Sequence, residues 1–269
     1  MMRRWALTTL LAALAPLLVV APVMAGLADR LAATFALMAD DFIQVAQPIE
    51  GLVAAAEGAV LYIDLGEGSG AQVGQELTVF RKGAPFYHPM TQRVLGHYED
   101  MLGHAQIRRV APDLSEAVFV SREGAPLPQA GDGVRITRAR VRVAITPVLD
   151  LTRSDADVRR VPYLMANVLE RSKRFQVVDP LAVSDMFANG TVRVEEMLAR
   201  PERAVRVAVN LEVSGWLVPV VLERNGVTYL DTTWISALTG TPLFSRRQPV
   251  VPTAATEEQR FPWEPRAED

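Results

Sequence analysis

The 269-residue chain carries 28 Lys and Arg against 31 Asp and Glu, a formal charge of −3, with 49% hydrophobic residues. That balance offers no basic stripe for nucleic acid, and the apolar content suffices for one or two packed domains. Cysteine is absent, which excludes disulfides, thiol catalysis, cysteine-ligated zinc and a lipid anchor on the N-terminal cysteine of a mature chain.

Residues 1–25 read as a secretory signal peptide. Arg3 and Arg4 precede an apolar run over 7–20, and Val23-Met24-Ala25 ends on small residues. Pro16 and Pro22 interrupt the run and shorten it for an anchor helix, so a cleaved, periplasmic, bacterial protein is expected. Over 26–48 the spacing predicts an amphipathic helix. Leu31, Phe35, Met38, Phe42 and Val45 recur every three or four residues as a heptad-type seam, and Pro48 ends it. Three uses of the seam are open: self-association through residues 27–47, docking on the chain's own β domain, or a short helical stalk.

Residues 49–140 carry short strands between turn signals, the pattern of a small antiparallel β barrel or sandwich. The stretch 59–80 organises it: a strand with Val60, Tyr62 and Ile63, then Gly66, Gly68, Gly70 and Gly74, then Leu77 to Phe80. A phosphate cradle would need a helix to open after the glycines. Here the chain returns to a strand, so the glycines are read as a turn. Later strands are expected around Val94-Leu95-Gly96, Gly103 to Ile107, Ala117 to Val120 and Val134 to Ile136, the last after the Gly131-Asp132-Gly133 turn.

The runs LYIDLGEGSGAQVGQELTVFRKG, HPMTQRVLG, LGHAQIRRV and AGDGVRI resemble the C-terminal β domain of flagellar assembly protein T. His88-Pro89-Met90-Thr91 and Leu95-Gly96 match that family's turn motif, whereas Gln92 stands where the family has glycine.

Residues 141–250 change texture. A buried-type strand over 141–147, a helix over 158–172, a strand over 175–180 ended by Pro180 and two further helices are predicted. Residues 208–221 read as a strand pair or one bent strand. Asn225-Gly226 then signals a type I′ hairpin into 228–237, and Thr239-Gly240 turns into a last strand. The expected layer is α+β with helices on one face. Asp179 is placed to cap the next helix. RVAITPV, SKRFQVVDP, VNLEVSGWLVPV and YLDTTWISALTGTPLF resemble the N-terminal domain of TolB and related CsgG-like and flagellar assembly domains. Flagellar T proteins hold the two kinds of domain in the opposite order. Leu151-Thr152-Arg153-Ser154 also departs from the small-residue loop of the relatives.

Residues 251–269 are proline-rich, charged and aperiodic, and are predicted disordered; Trp263 is a candidate docking anchor there. His88, His97 and His104 fall near Glu99 and Asp100 and form the one candidate metal cluster. The histidines lack helical i, i+4 spacing, and no Gly-x-Ser-x-Gly elbow is present. The expected function is therefore non-enzymatic and needs no cofactor. The resemblances imply a periplasmic assembly or scaffolding factor for a flagellar or secretion machine. It would bind other envelope proteins, with outer-membrane association open and no lipid anchor. The candidate interaction residues are Leu31, Phe35, Met38, Phe42 and Trp263. A small-ligand carrier or sensor, and a metal-dependent hydrolase using the histidines, are the alternatives.

Overall fold

The computed structural model describes residues 26–152, 156–190 and 193–252. The signal peptide expected at 1–25 and Trp263 in the tail lie outside the described residues. Helix α1 spans Leu27–Val45. Strands β1 (Ile49–Glu57), β2 (Val60–Ile63), β3 (Glu76–Tyr87), β4 (Val94–Val110), β5 (Ser115–Ser121) and β6 (Gly133–Ile136) close an antiparallel barrel in the order β1-β2-β5-β4-β3-β6. The glycine-studded stretch between β2 and β3 is a 3-10 turn over Glu67–Ser69 that ends on Gly70 at φ 82°, a turn and not a phosphate cradle.

After the barrel come β7 (Val141–Ile145), β8 (Leu149–Asp150), α2 (Val161–Arg171), β9 (Phe175–Val177), α3 (Pro180–Ala188), α4 (Val194–Ala199) and α5 (Pro201–Leu211). Strands β10 (Gly215–Arg224), β11 (Val227–Ser236) and β12 (Pro242–Pro249) follow. The second sheet runs β12-β11-β10-β7-β9, with β8 alongside β10. β7 pairs parallel with β9 and β10, while β10, β11 and β12 form the antiparallel meander. Asn225 and Gly226 sit at φ 53° and 76°, as a type I′ turn requires. The chain is thus α+β, with a barrel and a mixed sheet.

Three expectations need correction. Helices cover both faces of the second sheet, because alternate residues of the buried parallel strands point to opposite sides. Val143 and Ile145 face α1 and α2, whereas Ala144 faces α3, α4 and α5. Residues 208–211, read as the start of a strand, belong instead to helix α5. Pro201 opens that helix, and Ala204, Val207 and Ala208 bury at helical spacing. Finally, α1 docks on the second sheet and not on the barrel. Leu31, Phe35, Met38 and Phe42 are at most 2% exposed and share a core with Val143, Met165, Phe175 and Trp234. Phe42 lies 4.8 Å from the Phe244 ring. Thr34 accepts from the Val251 amide at 3.0 Å, and Arg30 donates to the Val251 carbonyl at 2.6 Å.

The barrel is therefore inserted between α1 and the sheet that α1 covers. Both crossings are held by one buried guanidinium, that of Arg174. It donates to the Ala46 carbonyl at the end of α1, to the Ala139 carbonyl, and to the Thr137 carbonyl at 2.7 Å. Arg140 in turn donates to the Phe175 carbonyl. A second tie joins barrel and sheet directly. The half-buried Glu76 carboxylate accepts from Gln106 and from Ser236, each at 2.8 Å, and Gln106 also donates to Thr239 at 3.1 Å. Burial pushes the Glu76 pKa up, against the lowering effect of those hydrogen bonds and of Arg108.

Replacing Arg174 with Met is expected to cost about 3 kcal/mol by leaving buried carbonyls unpaired, read as a lower urea midpoint. For Glu76 the sign is the reverse. A carboxyl with a raised folded-state pKa stabilises below its unfolded value and loses that contribution as pH rises through the folded value. Glu76→Gln is therefore expected to raise Tm at neutral pH. The gap from wild type should narrow as pH is lowered towards the carboxylate range, checked by thermal unfolding across pH.

Candidate interaction surface on the hairpin arm

β3 and β4 outrun the barrel that they help to close. β6 pairs only with Thr78 to Phe80 of β3, and β5 pairs with β4 from Gly103 onward. Residues 81–87 and 94–101 pair only with each other among the described residues. They form a two-stranded arm, and the outer edge of each strand is unpaired. The expected break between Val94-Leu95-Gly96 and Gly103 is absent: β4 is continuous through the polar Glu99-Asp100 step because its partner strand continues beside it.

The base of the arm is fastened by the Gly131-Asp132-Gly133 turn. Gly131 takes φ 92°, and Asp132 is only 3% exposed. Asp132 accepts two bonds from Arg81, each at 2.8 Å, and one from the Gln129 amide at 2.7 Å. Burial alone would raise the Asp132 pKa, but Arg81 and the Gln129 amide outweigh it and hold the group below its ordinary value. A Cβ at position 133 would meet the Phe80 ring at 2.3 Å. Glycine lets that ring lie flat, with the Arg135 guanidinium 4.2 Å above its centroid. Arg135 also grips Glu99 of β4 through two bonds at 2.9 and 2.5 Å.

The middle of the arm is aromatic. The Phe86 ring lies over Gly96, where a Cβ would meet it at 2.9 Å, and 5.5 Å from the Tyr98 ring. The tip is organised by His88. Its Nδ1 accepts from the Met90 and Thr91 amides, both at 3.2 Å, while its own amide donates to the Arg93 carbonyl at 2.8 Å. Gln92, at the glycine position of the resembled motif, sits at φ 55°, a left-handed geometry that costs a side chain about 1 kcal/mol.

The result is a concentration of exposed apolar side chains on the arm. Phe86, Tyr87, Met90, Val94, Leu95 and Tyr98 are all exposed, Met90 by 86% and Tyr98 by 65%. Such concentrations mark interaction sites, unlike singly scattered apolar residues. None of these residues is among the interaction candidates read from the sequence. The available signal was their crowding around a turn motif, with no acidic residue from 81 to 98.

The structure treats the sequence candidates differently. Leu31, Phe35, Met38 and Phe42 face the intrachain core. Freeing them for a partner would forgo roughly 6–12 kcal/mol of apolar burial. The histidines are strung along the arm and barrel. His97 and His104 lie seven residues apart on one strand, about 23 Å, and burial lowers the His104 pKa. Among the described residues, no three His, Asp or Glu side chains are grouped to hold a metal. No helix among the described residues is long and apolar enough to cross a membrane. A cleft of about 770 Å³ lies beyond the C-terminal end of β7, between α2 and α3. Val148, Pro162, Tyr163, Leu181 and Phe187 line it, with Arg159, Asp185, Arg193 and Glu195.

No protein-family model matches this sequence. An uncharacterized protein of Aquifex aeolicus (strain VF5) is 33% identical over 86 residues, which are 32% of this chain and 17% of that protein. This chain thus spans about a sixth of that relative's length. Among solved structures, the LpoB C-terminal domain from Escherichia coli is 16% identical, with a TM-score of 0.36. The match covers 43% of this chain and 86% of that one. Lipoprotein GNA1162 from Neisseria meningitidis is 17% identical, with a TM-score of 0.32, over 41% of this chain and 79% of that one.

Replacing His88 with Ala removes the acceptor for two amides. It is expected to raise hydrogen-exchange rates over residues 88–93 about tenfold, the equivalent of one lost bond of about 1.4 kcal/mol. His88→Asp supplies a carboxylate oxygen in the same place and should stay within about threefold of wild type.

Proposed function

We propose that this chain is an exported, non-enzymatic envelope protein that binds other proteins, with the hairpin arm as its contact surface. In this reading residues 49–140 are a binding module inserted into an α+β module of residues 26–48 and 141–250. The exposed aromatic and aliphatic cluster from Phe86 to Tyr98 is the observation that carries it. A reacting site would need a nucleophile and base held together, whereas His88 is occupied with its own turn and His97 and His104 are far apart along β4. The resemblance of the barrel motifs to flagellar assembly protein T, and of the second half to TolB-like and CsgG-like domains, supports a flagellar or secretion machine as the setting.

The test is affinity capture of the full chain from crosslinked cells beside a Tyr87→Ser/Leu95→Ser variant. Those side chains are exposed, so the variant's unfolding curve should match wild type. Wild type is expected to recover flagellar or secretion components, with recovery by the variant reduced about fivefold or more. Equal recovery by the two proteins would sink the reading. Thermal stabilisation by a protein-depleted envelope extract, with capture unchanged by the variant, would favour a small-ligand carrier using the cleft beside α2.

A further inference from the structure

Three features of the arm together specify what it binds. First, its distal part is positively charged, the arm's two acids, Glu99 and Asp100, lying at the base opposite Lys82 and Arg81. Residues 81–98 include Arg81, Lys82 and Arg93 and no Asp or Glu, in a chain whose formal charge is −3. Arg81 is committed to Asp132. Lys82 and Arg93 are in no ion pair among the described residues. Glu99, which lies opposite Lys82, is held by Arg135. Second, the unpaired outer edges over 81–87 and 94–101 present a row of backbone donors and acceptors. Third, apolar side chains flank those edges, with Tyr87, Leu95 and Tyr98 exposed.

These features discriminate between occupants. An antiparallel pairing of two β3 edges would bring Lys82 at the base of one arm towards Arg93 at the tip of the other, a like-charge contact that opposes pairing. A lipid bilayer would match the aromatic and cationic side chains. Burying two open strand edges in hydrocarbon, however, leaves each unpaired backbone group several kcal/mol short. An extended peptide segment satisfies the open edge, covers the apolar side chains and, if acidic, matches Lys82 and Arg93.

Building on the reading of the arm as a protein-binding surface, we propose that its partner is an acidic, extended segment of another protein, added as a strand to one outer edge of the arm. Lys82 and Arg93 lie at opposite ends of the free part of the ribbon. Lys82 is at the base and Arg93 immediately precedes Val94, which pairs with Tyr87. Positions 82 and 87 are five strand steps apart, about 17 Å. The partner segment therefore carries acidic residues about that far apart, with β-prone apolar residues between them. Main-chain bonds supply affinity, and the charges set register and partner choice.

The probe is a fluorescein-labelled peptide of three Thr-Glu-Val-Glu repeats, compared with the Thr-Lys-Val-Lys counterpart. The full chain is titrated at about 50 mM and about 300 mM salt, either side of the range where screening removes exposed charge pairing. The acidic peptide is expected to bind about tenfold or more tightly than the basic one, and to weaken at the higher salt. Binding should bring new amide protection to residues 81–87 or 94–101. Lys82→Glu/Arg93→Glu should reverse the preference without changing the unfolding curve. Equal binding of the two peptides would overturn the inference, as would the absence of arm protection. So would recruitment to phosphatidylglycerol vesicles without peptide binding, or a dimer abolished by the charge reversal. Failure here is separable from failure of the broader reading. Capture that is lost with Tyr87→Ser/Leu95→Ser but unchanged by the charge reversal leaves a protein-binding arm whose partner is not an acidic strand.

Discussion

The buried Arg174 guanidinium is the interaction on which the rest of the structure depends. Helix α1 is first in sequence but belongs to the core under the second sheet, so the chain must leave that core after Ala46 and return at Val141. A chain that departs and returns at one place invites motion there, because each crossing carries backbone carbonyls that the helix and sheet do not satisfy. Arg174 satisfies three of them at once, one on the outgoing side and two on the returning side. Its position just before β9 makes the sheet itself the anchor. The Glu76–Ser236–Gln106 contact adds a second tie, placed in the barrel wall. Two separated ties constrain orientation as well as distance.

That constraint gives the arm its mechanical meaning. An isolated two-stranded ribbon is marginal in water. This one is continuous with the barrel wall and clamped at its base by Arg81–Asp132 and Arg135–Glu99. The clamp uses bonds between charged groups next to a flat Phe80 ring, in a place where Gly133 alone leaves room. Beyond it, the surface runs against the usual economy of folding. Apolar side chains stay in water, and strand edges stay unpaired. The second sheet shows the opposite treatment. Its outer strand β12 has proline at both ends and holds Arg246 and Arg247 paired with Asp41 and Asp231, devices that blunt an edge. The same molecule protects one edge and leaves another open.

Much of the architecture was legible because it rests on local chemistry. Asn225-Gly226 announced its hairpin, Asp179 its cap on α3, where it accepts from the Leu181 amide at 2.9 Å, and the α1 seam its buried stripe. What stayed hidden depends on neighbours that are distant in sequence. The partner of α1 could not be read, since the stripe is compatible with any apolar surface. The start of the expected strand, residues 208–211, gave way to helical burial against the sheet, a tertiary override of propensity. β1 escaped notice because Ala54-Ala55-Ala56 is a weak strand former, and it pairs because β2 and β6 flank it. The arm was missed for a related reason. Phe86, Tyr87 and Tyr98 look like core residues, and only the lengths of β3 and β4 relative to β5 and β6 show that no core reaches them. The histidines looked like a cluster because sequence proximity conceals the extension of a strand.

Photo-crosslinking within cells tests the central claim most directly, that the arm is where this protein meets its partners. Benzoylphenylalanine is placed at Tyr87 on the arm and, as a reference, at Leu37, which is 71% exposed on α1. Discrete heterologous adducts at Tyr87 and none at Leu37 are the expected result. Adducts at Leu37 with Tyr87 silent would contradict the account and return the partner surface to the helix.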